Sequence, residues 1–315
     1  MNKSFQYFFG IALLGIFTYS CNNNSGNISI NNASLVLSEK NNEESKRRIT
    51  SEFKEYWYAG KAEITSYALS QERYGELREG TAVTVFVTED FKPDKQVKSD
   101  RYAKENIPVI KFNGTKKFLT GIYPYSIMTS VFNPVQTDKH ALKVANSVQE
   151  WCGQVYMQLN NREEYEFTGH SYFESEGDQN LNLPKTWLED EIWNRIRINP
   201  EELPTGDIEM IPSFEFLRLR HKEARAYEAT ASFKQGDSLS IYEIRYPSLG
   251  RDLVIYFNSS FPFEIEKWEE TNVGWRGTNE SMTTTAKRIK RIRSAYWTKN
   301  SNSDTSLRDS LGLNP

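Results

Sequence analysis

From Ala62 to Trp297 the chain is built from strand-length runs rich in Val, Ile, Thr, Tyr and Phe, separated by short turns and interrupted once by a helical period. Those turns constrain the fold more than any other feature, because parallel strands need crossovers of a dozen or more residues that hairpin-length gaps cannot supply. Antiparallel pairing of sequence neighbours is what remains. Before the interruption the runs are Ala62–Leu69, Thr81–Thr88, Pro108–Phe112, Phe118–Val131, Leu142–Val148, Gly153–Leu159 and Tyr165–Phe173. After it come Ile208–Phe214, Phe216–His221, Ala226–Phe233, Ser238–Tyr246, Leu253–Phe257, Phe263–Glu269 and Met282–Trp297. The alternation is strictest in Gly153–Leu159, where Val155, Met157 and Leu159 mark a core face and Gln154, Tyr156 and Gln158 a more polar one.

The interruption lies at Thr186-Trp187-Leu188-Glu189, where Thr and Glu have capping-box spacing. Leu188, Ile192 and Ile196 then repeat every four residues, predicting one short helix that ends before Pro200. The expected fold is mainly β: a curved antiparallel sheet or open β-barrel with a crossover helix near 187–198 covering one mouth. Two β subdomains divided near 186 are the alternative. No repeat of propeller period is visible. Aromatic residues make up 13% of the chain, which suits pleated, half-buried surfaces. Asn113-Gly114, beside Lys111, Lys116 and Lys117, is either a binding rim or, as is usual for that dipeptide, a charged hairpin turn.

The two ends read differently. Lys3 precedes an apolar run from Phe8 to Phe17, followed by Thr18-Tyr19-Ser20-Cys21. That run is too short to span a bilayer, and a Cys directly after a small residue is where a lipoprotein signal peptide is cut and acylated, palmitate being one such chain. Residues 1–20 are thus expected to be a signal peptide, Cys21 the lipidated residue and 21–48 a flexible polar tether. The β domain is expected over 49–299 and a disordered tail over 300–315. Loss of Lys3 with the signal peptide leaves 38 of the 39 basic residues against 42 acidic ones, a net charge of −4. Neither nucleic-acid binding nor anion steering is implied.

With Cys21 acylated, Cys152 has no intramolecular disulfide partner. The favoured reading of Cys152 is a small buried hydrophobe in a sheet beside a packed Trp151. The sharper reading makes it a nucleophile, approached past Gly153 and served by a histidine, with His170 the weak candidate among His140, His170 and His221. Gly169-His170-Ser171-Tyr172-Phe173 begins like a nucleophile elbow but has Phe173 in place of the second Gly. His170, Glu174, Glu176 and Asp178 match no calcium-loop spacing and read as a solvated turn. Glu189-Asp190-Glu191 reads as the acidic first turn that a helix dipole favours. The basic run Lys287, Arg288, Lys290, Arg291 and Arg293 is balanced between a contact with an anionic surface or partner and a protected edge strand. No metal site and no cofactor are expected.

Several stretches carry a resemblance. Tyr56-Trp57-Tyr58-Ala59-Gly60-Lys61-Ala62-Glu63, Arg73-Tyr74-Gly75-Glu76, Val87-Thr88-Glu89, Thr120-Gly121-Ile122-Tyr123-Pro124-Tyr125-Ser126 and Gln149-Glu150-Trp151-Cys152-Gly153 are similar to a Bacteroidota lipoprotein family whose members often carry the name "septum formation inhibitor Maf". True Maf proteins are nucleotide pyrophosphatases with an early Ser-x-Ser-x-Arg-Arg stretch. Ser45-Lys46-Arg47-Arg48 does not match it, so no Maf site residue carries over. Surface-exported lipoproteins of that phylum usually bear acidic residues just after the lipidated Cys; Asn22 to Asn27 hold none, which implies a periplasm-facing anchor in the cell envelope. More loosely, Leu203-Pro204-Thr205-Gly206 and Ser238 to Glu270 resemble the second half of periplasmic open-barrel proteins of the LolA lipoprotein-carrier type. That resemblance implies a concave face lined by Phe, Tyr, Leu and Met. The resulting expectation is a non-enzymatic, lipid-anchored envelope protein holding an apolar small-molecule ligand or an envelope protein. Its rival is a hydrolase built on Cys152, and a scaffold docking through the basic strand comes third.

Overall fold

Alternating burial sets the architecture. In β7 (Gly153–Asn161) Val155, Met157 and Leu159 are buried while Gln154 and Tyr156 face out, so each strand contributes one row to a core and one to the exterior. The computed structural model describes residues 47–274 and 280–313; the signal-peptide region, Cys21 and nearly all of the tether lie outside the described residues. The strands before β7 are β1 (Ala62–Arg73), β2 (Glu76–Lys92), β3 (Val97–Lys98), β4 (Ile107–Thr120), β5 (Tyr123–Pro134) and β6 (Lys143–Glu150). After it come β8 (Tyr165–Ser171), β9 (Gln179–Leu183), β10 (Trp187–Leu188), β11 (Gly206–Ile211) and β12 (Tyr227–Lys234). The last are β13 (Leu239–Tyr246), β14 (Arg251–Asn258), β15 (Ile265–Asn272) and β16 (Met282–Ser294).

These form one 16-stranded sheet in the order β10-β11-β12-β13-β14-β15-β16-β1-β2-β4-β5-β6-β7-β8-β9, with β3 attached to β2. Every neighbouring pair is antiparallel except β10 with β11. The sheet is open, because β9 and β10 at its two ends do not pair. β1 pairs with β16, joining the two halves of the chain, and the described residues belong to one compact unit.

The concave face holds α2 (Glu189–Ile198) and α3 (Phe214–Arg220), while α1 (Ser51–Trp57) precedes β1. Leu188, Ile192 and Ile196 are buried as the period predicts, and α2 stops before Pro200. Its start is one turn later than the capping-box reading placed it. Trp187 and Leu188 pair in parallel with Met210 and Ile211, and Thr186 Oγ1 donates instead to the Glu209 carbonyl at 2.6 Å.

Other readings are corrected by the same geometry. Phe216–His221 is helix rather than strand: Ser213 accepts from the Phe216 amide, an N-cap, and burial on all sides gives α3 apolar residues that only look alternating. Phe118–Val131 divides into two strands at Gly121-Ile122, where Gly121 takes φ 61°. Asn113-Gly114 is neither turn nor rim but mid-strand in β4. The Phe112 ring lies over Gly114, where an added Cβ would come within 2.6 Å of its Cζ. The basic run is no edge strand, since β16 lies between β15 and β1. The tail is not structureless through its described length. Residues Asn302–Leu311 form 3-10 turns, and Leu311 and Leu313 cover an apolar patch of Ala62, Ile64 and Val87 on the outer face.

Candidate functional site

α2 carries the sequence Glu189-Asp190-Glu191-Ile192-Trp193-Asn194-Arg195-Ile196-Arg197-Ile198, charged on most sides, yet nearly all of it is buried. A helix like this can sit inside a sheet only if each charge meets a partner there. Arg197 makes two 2.6 Å hydrogen bonds to Glu63 on β1. Glu191 accepts from the Ala141 amide at 2.7 Å and lies 2.7 Å from His140 Nδ1. Burial alone would raise the Glu191 carboxyl, but Arg195 and His140 outweigh it and hold the group below its ordinary value. The acidic first turn is therefore more than a response to the helix dipole: Glu189, Asp190 and Glu191 each hold a different part of the wall.

Glu189 and Asp190 face a cavity of about 60 Å³ between α2, α3 and the sheet, walled on its aromatic side by Phe112, Trp193 and Trp268. By the usual measure of one probe sphere per water, this is room for a few water-sized groups. Its charged wall has two cations, Lys116 and Arg251, against four carboxyls, Glu189, Asp190, Glu215 and Glu270. Arg251 donates from Nη2 to Glu189 at 2.7 Å and from Nε to Glu270 at 2.9 Å, while Tyr246 donates to Glu189 at 2.9 Å. Lys116 Nζ meets Glu215 at 2.7 Å.

Two cations cannot neutralise four buried carboxylates, and the carboxyls divide accordingly. Burial raises Glu270, but Arg251 and Lys116 outweigh it and bring its pKa down to about 2. Asp190 has no cation of its own; burial pushes it up to about 8, against the Phe214 amide that donates to it at 3.0 Å. Burial also raises Glu215, with Glu270 adding to the effect against Lys116. Lys116 keeps its charge, because Glu215 and Glu270 together exceed its desolvation. The cavity thus holds an excess of acceptors, with Asp190 protonated at neutral pH.

Glu215 and Glu270 continue into a narrower space lined by Gln71, Glu72, Phe216, Arg220 and Asn272. Phe216, Arg220 and Asn272 in turn line a further space of about 210 Å³ that reaches Leu249 and Val273 at one end of the sheet. Along this passage Gln71 Oε1 and Asn272 Oδ1 are buried acceptors without a hydrogen-bond partner among the described residues. The expected concave face of Phe, Tyr, Leu and Met is thus only partly present. Aromatic walls are there, but the centre is ionic.

Cys152 stands elsewhere. It is exposed in the turn between β6 and β7, beside a Trp151 that is 68% exposed, so neither the buried thiol nor the packed Trp is found. Tyr156 pairs with His170 across β7 and β8, and an outer groove of about 620 Å³ includes Cys152, His170 and Asp178. His170 Nδ1 lies 3.5 Å from Asp178, yet among the described residues no hydrogen bond joins Cys152 to His170. Glu150 hydrogen-bonds the thiol and raises its pKa, the opposite of what a nucleophile requires. Glu176 turns away from Asp178 to Arg218 and His221, so the acidic loop does not converge on a metal centre. The basic run is divided: Arg291 reaches Glu266 at 2.9 Å and Arg288 pairs with Glu266, whereas Lys287 and Lys290 are exposed on the outside.

No protein-family model matches the chain, and no curated protein matches it. Among solved structures, the chain is similar to a crystal structure of a β-barrel-like protein of domain of unknown function DUF1849 from Brucella abortus, at 9% identity and a TM-score of 0.43. The match covers 74% of this chain and 97% of that one.

Sequence reasoning missed Lys116, Glu215, Arg251, Glu270 and Asp190, the residues that make the cavity. The available signal was the helix itself. A charged segment set between two runs of strands, with apolar residues on only one side, has to bring its own counter-charges from the sheet.

Proposed function

We propose that this chain is a lipid-anchored envelope protein, acylated at Cys21, whose barrel-like domain binds an amphiphile rather than catalysing a reaction. The ligand's ammonium-bearing head fits the acid-rich cavity and its apolar part follows the passage past Phe216 toward Leu249 and Val273. One observation carries the reading. Every uncompensated group along this path accepts hydrogen bonds: the four carboxyls outnumber two cations, and the Gln71 and Asn272 amide oxygens are unpaired. Trp193 and Trp268 supply faces that attract a cation, an interaction worth about 2 kcal/mol when desolvated. The Cys152 hydrolase has no comparable support, because its thiol pKa is shifted upward.

The test is a titration of the full chain with dodecylammonium and, separately, dodecanoate of the same chain length, read by tryptophan fluorescence and by native mass spectrometry. Dodecylammonium should bind one to one and dodecanoate should not. Glu270→Gln should weaken the ammonium ligand about tenfold, the equivalent of one charge-assisted contact of about 1.4 kcal/mol. Equal binding of the two amphiphiles, or binding unaffected by Glu270→Gln, would overturn the reading.

A further inference from the structure

The antiparallel ladder sends β1, β4, β6 and β8 to the same end of the sheet, and β15, two strands along from β1, ends there too. The tips of these strands carry large apolar side chains in solvent. Ile122 is 83% exposed, Tyr172 79% and Trp151 68%, and Leu77, Leu119 and Val273 are exposed beside them. Turns at the opposite end are polar: Pro93-Asp94-Lys95, Thr137-Asp138-Lys139, Arg162-Glu163-Glu164 and Gln235-Gly236-Asp237. Tyr102 and Leu239 are scattered exposed residues there, of the kind any surface shows.

The geometry points to this rim as a docking surface for a lipid bilayer. Adjacent hairpins lie two strands apart, about 10 Å at ordinary strand spacing, so the tips form separate prongs. Tyr123 and Trp151 do touch, with ring centroids 6.3 Å apart. A protein partner gains most from a central, densely packed anchor in a pocket, which spaced prongs do not offer. A fluid interface accepts each prong independently, and Trp and Tyr flanked by Ile and Leu is the side-chain class that settles at headgroup depth. The tips also carry no basic excess: Glu76 pairs with Arg78, and Glu150 adjoins Trp151. A zwitterionic surface is therefore sufficient. The passage lined by Leu249 and Val273 opens at the same end. The rim stands on exposure and topology alone, so it does not depend on what the cavity binds.

The first described residues enter at the other end, where the Arg47 amide donates to the Gln136 carbonyl at 2.7 Å. Membrane contact by the N-terminal region and contact by the rim can therefore be read separately. The experiment uses the full chain with Cys21→Ser and Cys152→Ser, carrying Ile122→Cys or Asp237→Cys labelled with an environment-sensitive fluorophore, and vesicles of phosphatidylethanolamine and phosphatidylcholine with or without brominated chains. The label at 122 should shift to the blue and be quenched by brominated lipid, while the label at 237 should remain water-like. In unlabelled full chain, Ile122→Asn and Trp151→Ser should each lower vesicle partition about tenfold, as expected for withdrawing one buried apolar side chain. A vesicle-bound chain whose 122 label stays in water would overturn the proposal. Equal quenching at 122 and 237, or a 122 label that responds only to an added envelope protein, would overturn it as well.

Discussion

Replacing Asp190 with Asn should change the pH dependence of stability more than stability itself. In the folded protein Asp190 titrates near 8 because it is buried without a cation, whereas in the unfolded chain it returns to its ordinary value of 3.8. Between those values the folded state holds a proton that the unfolded state has lost, so stability falls as pH rises and levels off above the folded pKa. Each pH unit in that window is worth about 1.4 kcal/mol for a fully coupled group, so the loss between pH 5 and pH 7 is about 3 kcal/mol. Asn has the shape of the protonated acid and can still accept from the Phe214 amide. The variant should therefore match the wild type near pH 4 and exceed it by a margin that widens toward pH 8. Urea denaturation of both proteins at four or five pH values gives the difference directly, with other titrating groups cancelling. A difference that does not vary with pH would show that Asp190 is ionised in the folded state and that the charge reasoning for the cavity is wrong.

Removing Glu189 tests the other half of that reasoning. Glu189→Ala leaves Arg251 with Glu270 alone among the cavity carboxylates it bonds, and should cost about 3 to 5 kcal/mol in chemical denaturation, as for other broken buried pairs; a loss below about 1 kcal/mol would mean that solvent reaches Arg251. The Cys152 thiol should titrate above an ordinary cysteine in a pH series of alkylation rates, and Glu150→Gln should bring it down. A midpoint below the ordinary value would revive the nucleophile.

The legible part of this fold was the part governed by local periodicity. Strands such as Gly153–Asn161 and the Tyr74-Gly75 hairpin follow from alternation and from two residues that accept positive φ, at 60° and 76°. The crossover helix followed from the spacing of Leu188, Ile192 and Ile196. What was not legible depended on neighbours distant in the chain. Asn113-Gly114 looks like a turn because the dipeptide favours one, but the Phe112 ring over Gly114 gives the missing side chain a packing reason instead. Lys116 looks like a surface lysine until Glu215 and Glu270 approach from α3 and β15. The basic run looks like a protected edge because nothing local shows that β1 will lie beside it. Positions of this kind are decided by pairings that only the completed sheet establishes.

The seam between β1 and β16 also governs what happens before the sheet is complete. β1 finds β2 through a two-residue turn, but its other edge stays unpaired until almost the last residues of the chain arrive. During that interval Ala62, Ile64 and an open row of backbone donors and acceptors are presented together, since the Leu311 and Leu313 cover comes later still. An uncovered apolar edge is a template for pairing with another copy. Fragments ending before Met282 should consequently be lost to aggregation or proteolysis rather than accumulate as stable half-sheets, and the formation of this one seam sets the point at which the protein becomes safe to release.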